Sequence, residues 1–323
     1  MSLPARLKHG IEMALEGVNL KELGQVAEDL SNRYRQEQRD GNFHLSSELK
    51  AKAYLATRLP ATYGAIHDGM AKLGQLLPRF APRTHLDVGA GPGSALWAAK
   101  EIWSRLEEAT LIEGSSDIQA EGMKLSALLD AVKVKWIHGD LSHSLSQLER
   151  ADLVTLAYVL NELEPDLRLA LITRLWNLTD GVLLIVEPGT TAGWQRLLII
   201  RDHLLAMGAY VVAPCPHSET CPLAKPDWCH FSARVERSRV HRLAKDAELG
   251  YEDEKYSYLA FARSQPMPTP ARILASPHRR SGLVQLKLCT QEGKLEQRSF
   301  SKRDGTLYKK VRKLDWGDVI IPE

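Results

Sequence analysis

The sequence predicts an α/β fold in which a parallel β-sheet is covered by helices on both faces. Between Thr84 and Glu187, five short apolar runs alternate with stretches of helical length and period. This alternation is typical of a parallel sheet, because each parallel strand needs a long crossover to the next. The chain has 323 residues, 44% of them hydrophobic and 25% charged. It is therefore long enough for about two folded units with buried cores.

The predicted strands are runs of five to nine residues rich in leucine and β-branched side chains. Five belong to the alternating region and two more follow it, at Thr84–Val88, Ala109–Glu113, Val132–His138, Asp152–Leu160, Gly181–Glu187, Tyr210–Pro214 and Tyr256–Arg263. The predicted helices between them lie at Ser94–Leu106, Ser116–Leu129, Asp166–Leu178 and Gly193–Gly208. Near-continuous apolar strands of this kind indicate a sheet that is buried on both faces.

Segments on either side of this core complete the predicted organisation. The first eighty residues show helical spacing of apolar side chains and predict about four helices. After the Pro-rich stretch at 265–272, residues alternate as in strands, with turn signals at 291–294 and 302–305 that predict a small β-meander. We therefore expect a helical cap at 1–80, a core at 81–265 and a C-terminal β domain at 266–323.

Several classes of protein are disfavoured by composition. No apolar run approaches the ~18 residues needed to span a bilayer, so we expect no membrane association. The first residues carry charges within their apolar pattern, which argues against a secretory signal. Four cysteines are too few for a disulfide-stapled scaffold of this length, and they indicate a reducing, cytoplasmic location.

A glycine-rich turn follows the first predicted strand. Asp87 stands two residues before Gly89, and Gly91 and Gly93 complete a GxGxG pattern that leads into a helix. Glycines allow a tight turn and close approach of a ligand to the backbone, and the helix start presents free N–H groups. The pattern resembles the first motif of class I S-adenosylmethionine (SAM)-dependent methyltransferases, which have a Rossmann-like fold. The alternative is a nicotinamide site, disfavoured by the glycine spacing and by the seven predicted strands.

Two acidic residues downstream agree with a nucleoside cofactor. Glu113 ends the second predicted strand, where a carboxylate can accept hydrogen bonds from ribose hydroxyls. Asp140 follows the third strand, where it can accept one from an adenine amino group. Both stand at carboxyl ends of strands, the ligand-binding edge of open α/β sheets. The alternative is that these acids are helix caps or loop residues.

The substrate end of the predicted cleft is less defined. Asn161 and Glu162 follow the fourth strand and Glu187 ends the fifth, so these three are the candidate catalytic or substrate-contacting residues. The Asn/Asp-Pro-Pro-aromatic tetrapeptide of many amino-methylating nucleic-acid enzymes is absent at this position. Methyl transfer can proceed by alignment of the reactants alone, so no general base is required by the chemistry.

Cysteines are concentrated in a Pro-rich segment. Cys215, Cys221 and Cys229 lie within an insertion at 213–250, and the fourth cysteine, Cys289, lies in the C-terminal segment. Four thiolates suit either tetrahedral zinc or an iron–sulfur cluster, and His217 or His230 could replace a cysteine around zinc. The alternative is a set of incidental buried thiols.

These cysteines, with the glycine turn and the LAYVLNEL run at 156–163, carry a family resemblance. The sequence resembles the mitochondrial small-ribosomal-subunit methyltransferase-like family and its bacterial relatives, over roughly residues 40–323. The resemblance implies a methyltransferase domain, association with the small ribosomal subunit, and a 4Fe–4S cluster. The cluster ligands would be Cys215, Cys221, Cys229 and Cys289.

Basic residues follow the third cysteine at what reads as helical spacing. Arg234, Arg237, Arg242 and Lys245, with His241, would form one basic helix face beside Trp228 and Phe231. Basic groups beside aromatic planes suit RNA, so these residues are candidate RNA contacts, and a solvated surface is the alternative. From Phe231 onward the chain holds 19 Lys and Arg against 12 Asp and Glu.

Two functions are consistent with the whole pattern. The first is SAM-dependent methylation of small-subunit ribosomal RNA, or methyltransferase-like action in small-subunit maturation. The second is a non-catalytic iron–sulfur assembly factor that binds RNA and retains the cofactor pocket. Intact Asp87, the three glycines, Glu113 and Asp140 favour retained cofactor binding.

Overall fold

A mixed sheet forms the centre of the molecule in the computed structural model, which describes residues 1–35, 45, 47–139, 148–269 and 271–320. Its strands are β1 (Thr84–Val88), β2 (Glu108–Glu113), β3 (Lys133–His138), β4 (Ala151–Ala157), β5 (Thr179–Pro188), β6 (Tyr210–Ala213), β7 (Phe231–Glu236) and β8 (Tyr251–Ala262). The order is β3-β2-β1-β4-β5-β8-β6, and β7 pairs with β8. Strands β1 to β5 are parallel, whereas β8 is antiparallel to β5, β6 and β7.

Helices cover both faces of this sheet. The four N-terminal helices are α1 (Ala5–Ala14), α2 (Leu20–Arg35), α3 (Glu48–Thr57) and α4 (Leu59–Leu76). The sheet crossovers contain α5 (Ser94–Ile102), α6 (Ser116–Ser126), α7 (Pro165–Asn177) and α8 (Thr191–Ala206), and a short α9 (Arg239–Ala244) joins β7 to β8. Helices α1 to α6 share one hydrophobic cluster with one face of the sheet, and α7 and α8 share another with the opposite face.

The strands contribute alternate residues to the two clusters. On β5, Val182, Leu184 and Val186 belong to the first cluster, and Leu183 and Ile185 to the second. All five are fully or almost fully buried. This explains why the run lacks a polar face, as expected of a strand in a sheet covered on both sides. The predicted doubly covered α/β core is confirmed.

The C-terminal segment folds into a second sheet with its own core. Its five antiparallel strands are β9 (Ala271–Ile273), β10 (His278–Arg280), β11 (Leu283–Thr290), β12 (Leu295–Ser301) and β13 (Val319–Ile320). A short 3₁₀ helix (Lys302–Asp304) and α10 (Gly305–Val311) follow β12. The turn predicted at 291–294 joins β11 to β12. The prediction of a turn between strands at 302–305 was wrong. Ser301 and Asp304 form a capping box there, and it begins the 3₁₀ helix.

A second prediction of local structure was wrong. Arg234 was expected to lie on one basic helix face with Arg237, Arg242 and Lys245, but it lies in β7, in which Phe231, Ala233 and Val235 are buried and Arg234 is exposed. The alternation has period two, which favours a strand once a partner such as β8 is available. The division at residues 80 and 265 stays a prediction, although the C-terminal sheet does have a separate hydrophobic cluster.

Candidate functional site: a glycine-lined cleft and a cysteine-lined cavity

The glycine turn lies at the carboxyl end of β1, where the strand order reverses between β1 and β4. Gly89, Gly91 and Gly93 all have positive φ, at +69°, +54° and +87°. A Cβ on Gly89 would lie 2.3 Å from a methyl carbon of Val159, so this glycine is required for packing. A Cβ on Gly91 would meet nothing within 4 Å. Gly91 therefore lies beside open space at the edge where such sheets bind ligands.

Asp87 is a buried acid with one unpartnered oxygen. Its Oδ1 accepts a hydrogen bond of 2.6 Å from the Thr155 hydroxyl, and that hydroxyl lies 2.8 Å from Nε2 of buried His85. Its Oδ2 is buried and has no hydrogen-bond partner among the described residues. Burial raises the pKa of Asp87 to about 7, against the lowering effect of Thr155. A buried carboxylate oxygen without a donor is suited to receive one from a ligand.

Glu113 holds the glycine turn from the neighbouring strand. Its two carboxylate oxygens accept 2.8 Å hydrogen bonds from the backbone N–H groups of Gly91 and Ser115. Burial raises its pKa, and the backbone donors oppose that shift. The carboxylate is thus at the predicted position beside the turn, with remaining lone pairs for a ligand. Asp140, the other predicted nucleoside contact, lies outside the described residues.

The segment after β4 brings the three catalytic candidates near one another. Asn161 is buried, whereas the side chain of Glu162 is open to solvent at the mouth of the cleft. The pKa of Glu162 is raised to about 8, first by the surrounding protein and then by the carboxylates of Glu113 and Glu187. Glu162 therefore carries a proton over part of the physiological pH range.

Glu187 is committed to a structural ion pair. It lies within β5, fully buried, and its Oε2 accepts a 2.8 Å hydrogen bond from Nε of buried Arg196. Its Oε1 accepts one of 3.3 Å from the Leu160 backbone N–H. These contacts hold the segment that carries Asn161 and Glu162, so Glu187 is placed to support the cleft rather than to contact a substrate freely.

Residues that the sequence did not single out join the end of β4 to the N-terminal cap and to β8. Tyr158 has φ of +61°, a conformation uncommon for a bulky residue, and its hydroxyl donates to Glu254 Oε1 at 3.2 Å. Arg58 of the N-terminal cap donates to the same oxygen at 3.3 Å. Tyr158 lies 96 positions and Arg58 lies 196 positions from Glu254 along the chain, so local sequence spacing could not reveal these contacts.

The four cysteines line a single cavity beside the second sheet. Cys215 and Cys221 lie in the loop after β6, Cys229 precedes β7, and Cys289 lies on β11. The cavity has an empty volume of about 500 Å³, counting space open to solvent. Burial and the neighbouring thiols raise the pKa of Cys229 well above its usual range and that of Cys289 to about 12. All four predicted ligands therefore line the same cavity, and their role as metal ligands stays a prediction.

The spacing of these thiols does not form a mononuclear site. Among residues 1–35, 45, 47–139, 148–269 and 271–320, no group of three or more His, Cys, Asp or Glu side chains could hold one metal ion as placed. Zinc–sulfur bonds of about 2.3 Å would require the sulfurs to converge closely on one point. His217 Nε2 lies 3.2 Å from Cys289 Sγ. His230 instead stacks on Trp228, with the ring centres 4.7 Å apart.

Two buried arginines support the cavity, and sequence spacing gave no signal for either. Arg201 on α8 donates to the carbonyl oxygens of His217 and Glu219 at 2.9 and 2.7 Å. Arg272 on β9 donates to the carbonyl oxygens of Pro214 and Gly317 at 2.9 and 2.6 Å. The first fixes the cysteine loop on the α/β core, and the second joins that loop to the C-terminal sheet.

The predicted RNA-binding residues do not form one basic helix face. Arg234 makes a two-point ion pair with Asp253 at 2.7 and 2.8 Å. Arg237 and Lys245 both pair with Glu252, at 3.0 and 3.4 Å. Arg242 is exposed on α9, whereas His241 and Phe231 are buried.

Arg242 is therefore the one of these basic candidates that combines exposure with no ion pair in the described part of the chain. The expected stacking role of Phe231 was wrong, since its ring packs on Tyr256 and Tyr258 inside the core.

Comparison with known proteins gives a family match. The family model described as mitochondrial small ribosomal subunit Rsm22 matches residues 48–321. The human mitochondrial ribosome assembly protein METTL17 is 28% identical over 83% of this chain and 61% of its own length. The mitochondrial Rsm22-cox11 tandem protein 2 of Schizosaccharomyces pombe is 22% identical over 87% of this chain and 44% of its own length. The chain thus spans 61% and 44% of the lengths of these two relatives.

Solved structures give distant matches. An O-methyltransferase family protein from Burkholderia thailandensis is 14% identical with a TM-score of 0.47, over 76% of this chain and 71% of that one. The magnesium protoporphyrin IX methyltransferase ChlM of Synechocystis PCC 6803, solved with bound SAM, is 14% identical with a TM-score of 0.42, over 72% and 91%. The strand order, with its reversal between β1 and β4, is that of a Rossmann-like doubly wound α/β fold. No helix in the described residues is long and apolar enough to cross a membrane.

Proposed function

Because this chain belongs to the Rsm22 family of mitochondrial small ribosomal subunit proteins, we propose that it is a SAM-binding, methyltransferase-like protein of small-subunit maturation. The observation that carries the proposal is the cleft at the end of β1, where open space beside Gly91 adjoins buried Asp87 and half-buried Glu113. Its proposed substrate or binding partner is small-subunit ribosomal RNA. The human relative is named a ribosome assembly protein, which supports this role.

The cleft residues fit the charge and shape of SAM. SAM carries an ammonium group and a cationic sulfur, and when bound it supplies a transferable methyl group. The unpartnered Oδ2 of Asp87 can accept a hydrogen bond from the ammonium group. Glu113 has lone pairs left for ribose hydroxyls after its bonds to Gly91 and Ser115. Cations in this cleft would lower the raised pKa values of these acids, because opposite charges favour the ionised form.

The alternative function is a non-catalytic assembly factor that keeps the pocket. The engagement of Glu187 with Arg196 and Leu160 favours it, since one of the three catalytic candidates is occupied by structural contacts. Asn161 and Glu162 remain the candidates for substrate contact. In this alternative, SAM binding would stabilise the fold without methyl transfer.

Titration calorimetry with SAM tests the pocket, and a transfer assay then separates the two functions. We expect binding by the unaltered protein, a loss of at least tenfold in Asp87→Asn, and no change in Asp117→Asn, a half-buried acid in the first turn of α6. Methyl transfer from labelled SAM to small-subunit RNA of a deletion strain would establish an enzyme. Binding without transfer would favour the assembly factor, and no binding would refute the pocket.

We also propose that the four cysteines hold a 4Fe–4S cluster, with zinc as the alternative. Four cysteines that line one cavity are a donor set suited to such a cluster, and the family resemblance favours iron–sulfur over zinc. Arg201 and Arg272 oppose the rise in the pKa of Cys289 that burial and the neighbouring thiols cause. Anaerobically purified protein should therefore show the broad visible absorption of iron–sulfur proteins. A colourless protein with stoichiometric zinc would overturn the assignment.

We also propose a cellular location on the basis of the relatives. The matched relatives are mitochondrial by name, so the small subunit that this chain serves is proposed to be of the mitochondrial type or its bacterial counterpart. The cytoplasmic location predicted from the few cysteines stays a prediction. Exposed Arg242 stays a candidate RNA contact, and Arg242→Gln would test it by RNA affinity.

A further inference from the structure

We propose that the C-terminal sheet contacts RNA phosphates through a basic surface on its helix, which we name the α10 surface and define as Lys302, Arg303, Lys309, Arg312 and Lys313. The identity of the RNA, but not the existence of the surface, rests on the proposed function. Sequence spacing pointed to the basic residues of β7 and α9 for this role. In the structure most of those residues are paired with carboxylates, and basic side chains that lack an ion pair in the described part of the chain lie on the α10 surface.

The positive charge of the chain is concentrated in this unit. Between residues 271 and 320 there are twelve Lys and Arg against five Asp and Glu. Between residues 231 and 270 the numbers are seven and six. The basic excess of the C-terminal third therefore belongs almost entirely to the second sheet and α10, not to the segment after the cysteines.

The packing of α10 turns its charges outward. Tyr308, Val311 and Leu314 pack into the core of the second sheet. Lys309, Arg312 and Lys313 are exposed, as expected for the opposite face of the same helix and its last turn. Residues three and four apart on a helix have Cβ atoms about 5–6 Å apart, so these three side chains are neighbours.

The 3₁₀ turn extends the same surface. Lys302 and Arg303 are exposed directly before α10, and the backbone N–H of Lys302 donates to the Gly282 carbonyl at 3.1 Å. Arg279 on β10 donates to the Leu314 carbonyl, which holds the end of α10 against the sheet. The surface is therefore presented on a fixed framework rather than on a separate loop.

The charges of the α10 surface are uncompensated. In the part of the chain that the structure describes, none of its five side chains makes an ion pair within 4.0 Å. Of the acids nearby, Asp304 accepts hydrogen bonds from Ser301, and Asp315 lies 4.0 Å from Arg279. By contrast, Arg234, Arg237 and Lys245 are paired with carboxylates, and this pairing weakens their attraction for a polyanion.

RNA backbone is the partner that fits best. Free surface cations that meet phosphates release condensed counterions, and this term gives salt-dependent affinity without reading sequence. The C-terminal sheet would thus position the methyltransferase core on an RNA that the core itself recognises.

The test compares two variants of equal charge. One changes Lys302, Lys309, Arg312 and Lys313 to Gln, and the control changes Arg6, Arg83, Lys133 and Arg234, exposed residues paired with carboxylates, to Gln. Fluorescence anisotropy follows binding of a small-subunit ribosomal RNA fragment and of an unrelated RNA hairpin over a range of salt. We expect the first variant to lose at least tenfold in affinity for both RNAs. Its slope of log affinity against log salt should fall by about 3, at about 0.7–0.9 per phosphate contact.

The outcomes separate this inference from the proposed function. Equal losses in both variants, no loss in the first, or wild-type binding to anionic vesicles in preference to RNA would each overturn the α10 surface. SAM calorimetry on the same proteins should be unchanged. If the wild type binds RNA through the α10 surface but not SAM, the cofactor proposal fails and the inference stands. If the wild type binds SAM but no RNA, the inference about the α10 surface fails and the cofactor proposal stands.

Discussion

Gly89 and Gly91 share a backbone conformation but differ in what surrounds them. Both have positive φ, so any side chain there costs about 1–2 kcal/mol of left-handed strain. At Gly89 a methyl group would also collide with Val159, whereas at Gly91 it would project into open space. The first glycine is therefore needed by the fold, and the second is available to serve a ligand.

Alanine at each position should separate stability from binding. We expect Gly91→Ala to lower the free energy of unfolding by about 1–2 kcal/mol and to weaken SAM binding at least tenfold, since the added carbon occupies the space beside the turn. Gly89→Ala should cost about 2–4 kcal/mol, because overpacking adds to the strain. Urea denaturation and calorimetry measure both quantities. A Gly91→Ala protein that binds SAM normally would show that the open space is not part of the pocket.

Glu162 makes stability depend on pH in a defined direction. Its folded pKa of about 8 lies above the ordinary glutamate value, so the unfolded chain releases this proton first as pH rises. Ionisation of Glu162 therefore favours the unfolded chain between about pH 4.5 and 8. The stabilisation that protonated Glu162 contributes below pH 4.5 is lost as the pH rises through this range. The side chain is open to solvent, so the effect is expected to be modest.

The variant Glu162→Gln should remove this dependence. We expect the stability of the variant relative to the wild type to rise from pH 5 to pH 8.5 in urea denaturation. Glu149→Gln, at an exposed position, serves as the control and should show no such trend. A difference between variant and wild type that is constant across this range would contradict the raised pKa.

At the scale of elements, the strands buried on both faces were the most predictable. Their apolar runs can be satisfied only inside a sheet, so β1, β2, β4 and β5 were located from runs of apolar residues. Strand β7 was missed because its buried face consists of Phe231, Ala233 and Val235, while its arginines suggested a helix. The roles of Arg201, Arg272 and Arg58 were equally inaccessible, because each acts on a partner that is distant along the chain.

Helix α4 crosses β7 at a glycine. A Cβ on Gly64 would lie 2.2 Å from a methyl carbon of Val235, whereas one on Gly74 of the same helix meets only Ile102 at an ordinary 3.7 Å. We expect Gly64→Ala to destabilise the protein by about 1–3 kcal/mol. Gly74→Ala should instead stabilise it by about 0.5–1 kcal/mol through helix propensity. Thermal denaturation checks both, and equal effects would show that the close helix–strand contact is absent.

For the whole molecule, the cysteine cavity and Arg272 form the joint between the two sheets. Three cysteines come from the core and Cys289 from the C-terminal sheet, so a bound cluster would add metal-binding energy to this joint. Arg272 contributes independently through its buried bonds to Pro214 and Gly317. The second sheet is thus held by two kinds of contact, one that depends on the cluster and one that does not.

Limited proteolysis should resolve these two contributions. We expect Cys289→Ser to increase cleavage in the linker at 264–269, and Arg272→Met to do so even in protein that lacks iron, since each buried bond from a charged donor contributes about 1.5–3 kcal/mol. Ser299→Ala, an exposed change on β12, is the control. Digestion that is identical in all four proteins would show that the joint does not hold the C-terminal sheet in place.

The bonds from Arg201 have a further consequence for repair after oxidative damage. They fix the carbonyl groups of His217 and Glu219 without using any thiol, so these two contacts do not depend on a bound metal. If the proposed cluster is bound there, a molecule that loses it would keep these contacts and would need only fresh iron and sulfide to regain it. Damage of this kind would be reversible for as long as the thiols themselves stayed reduced.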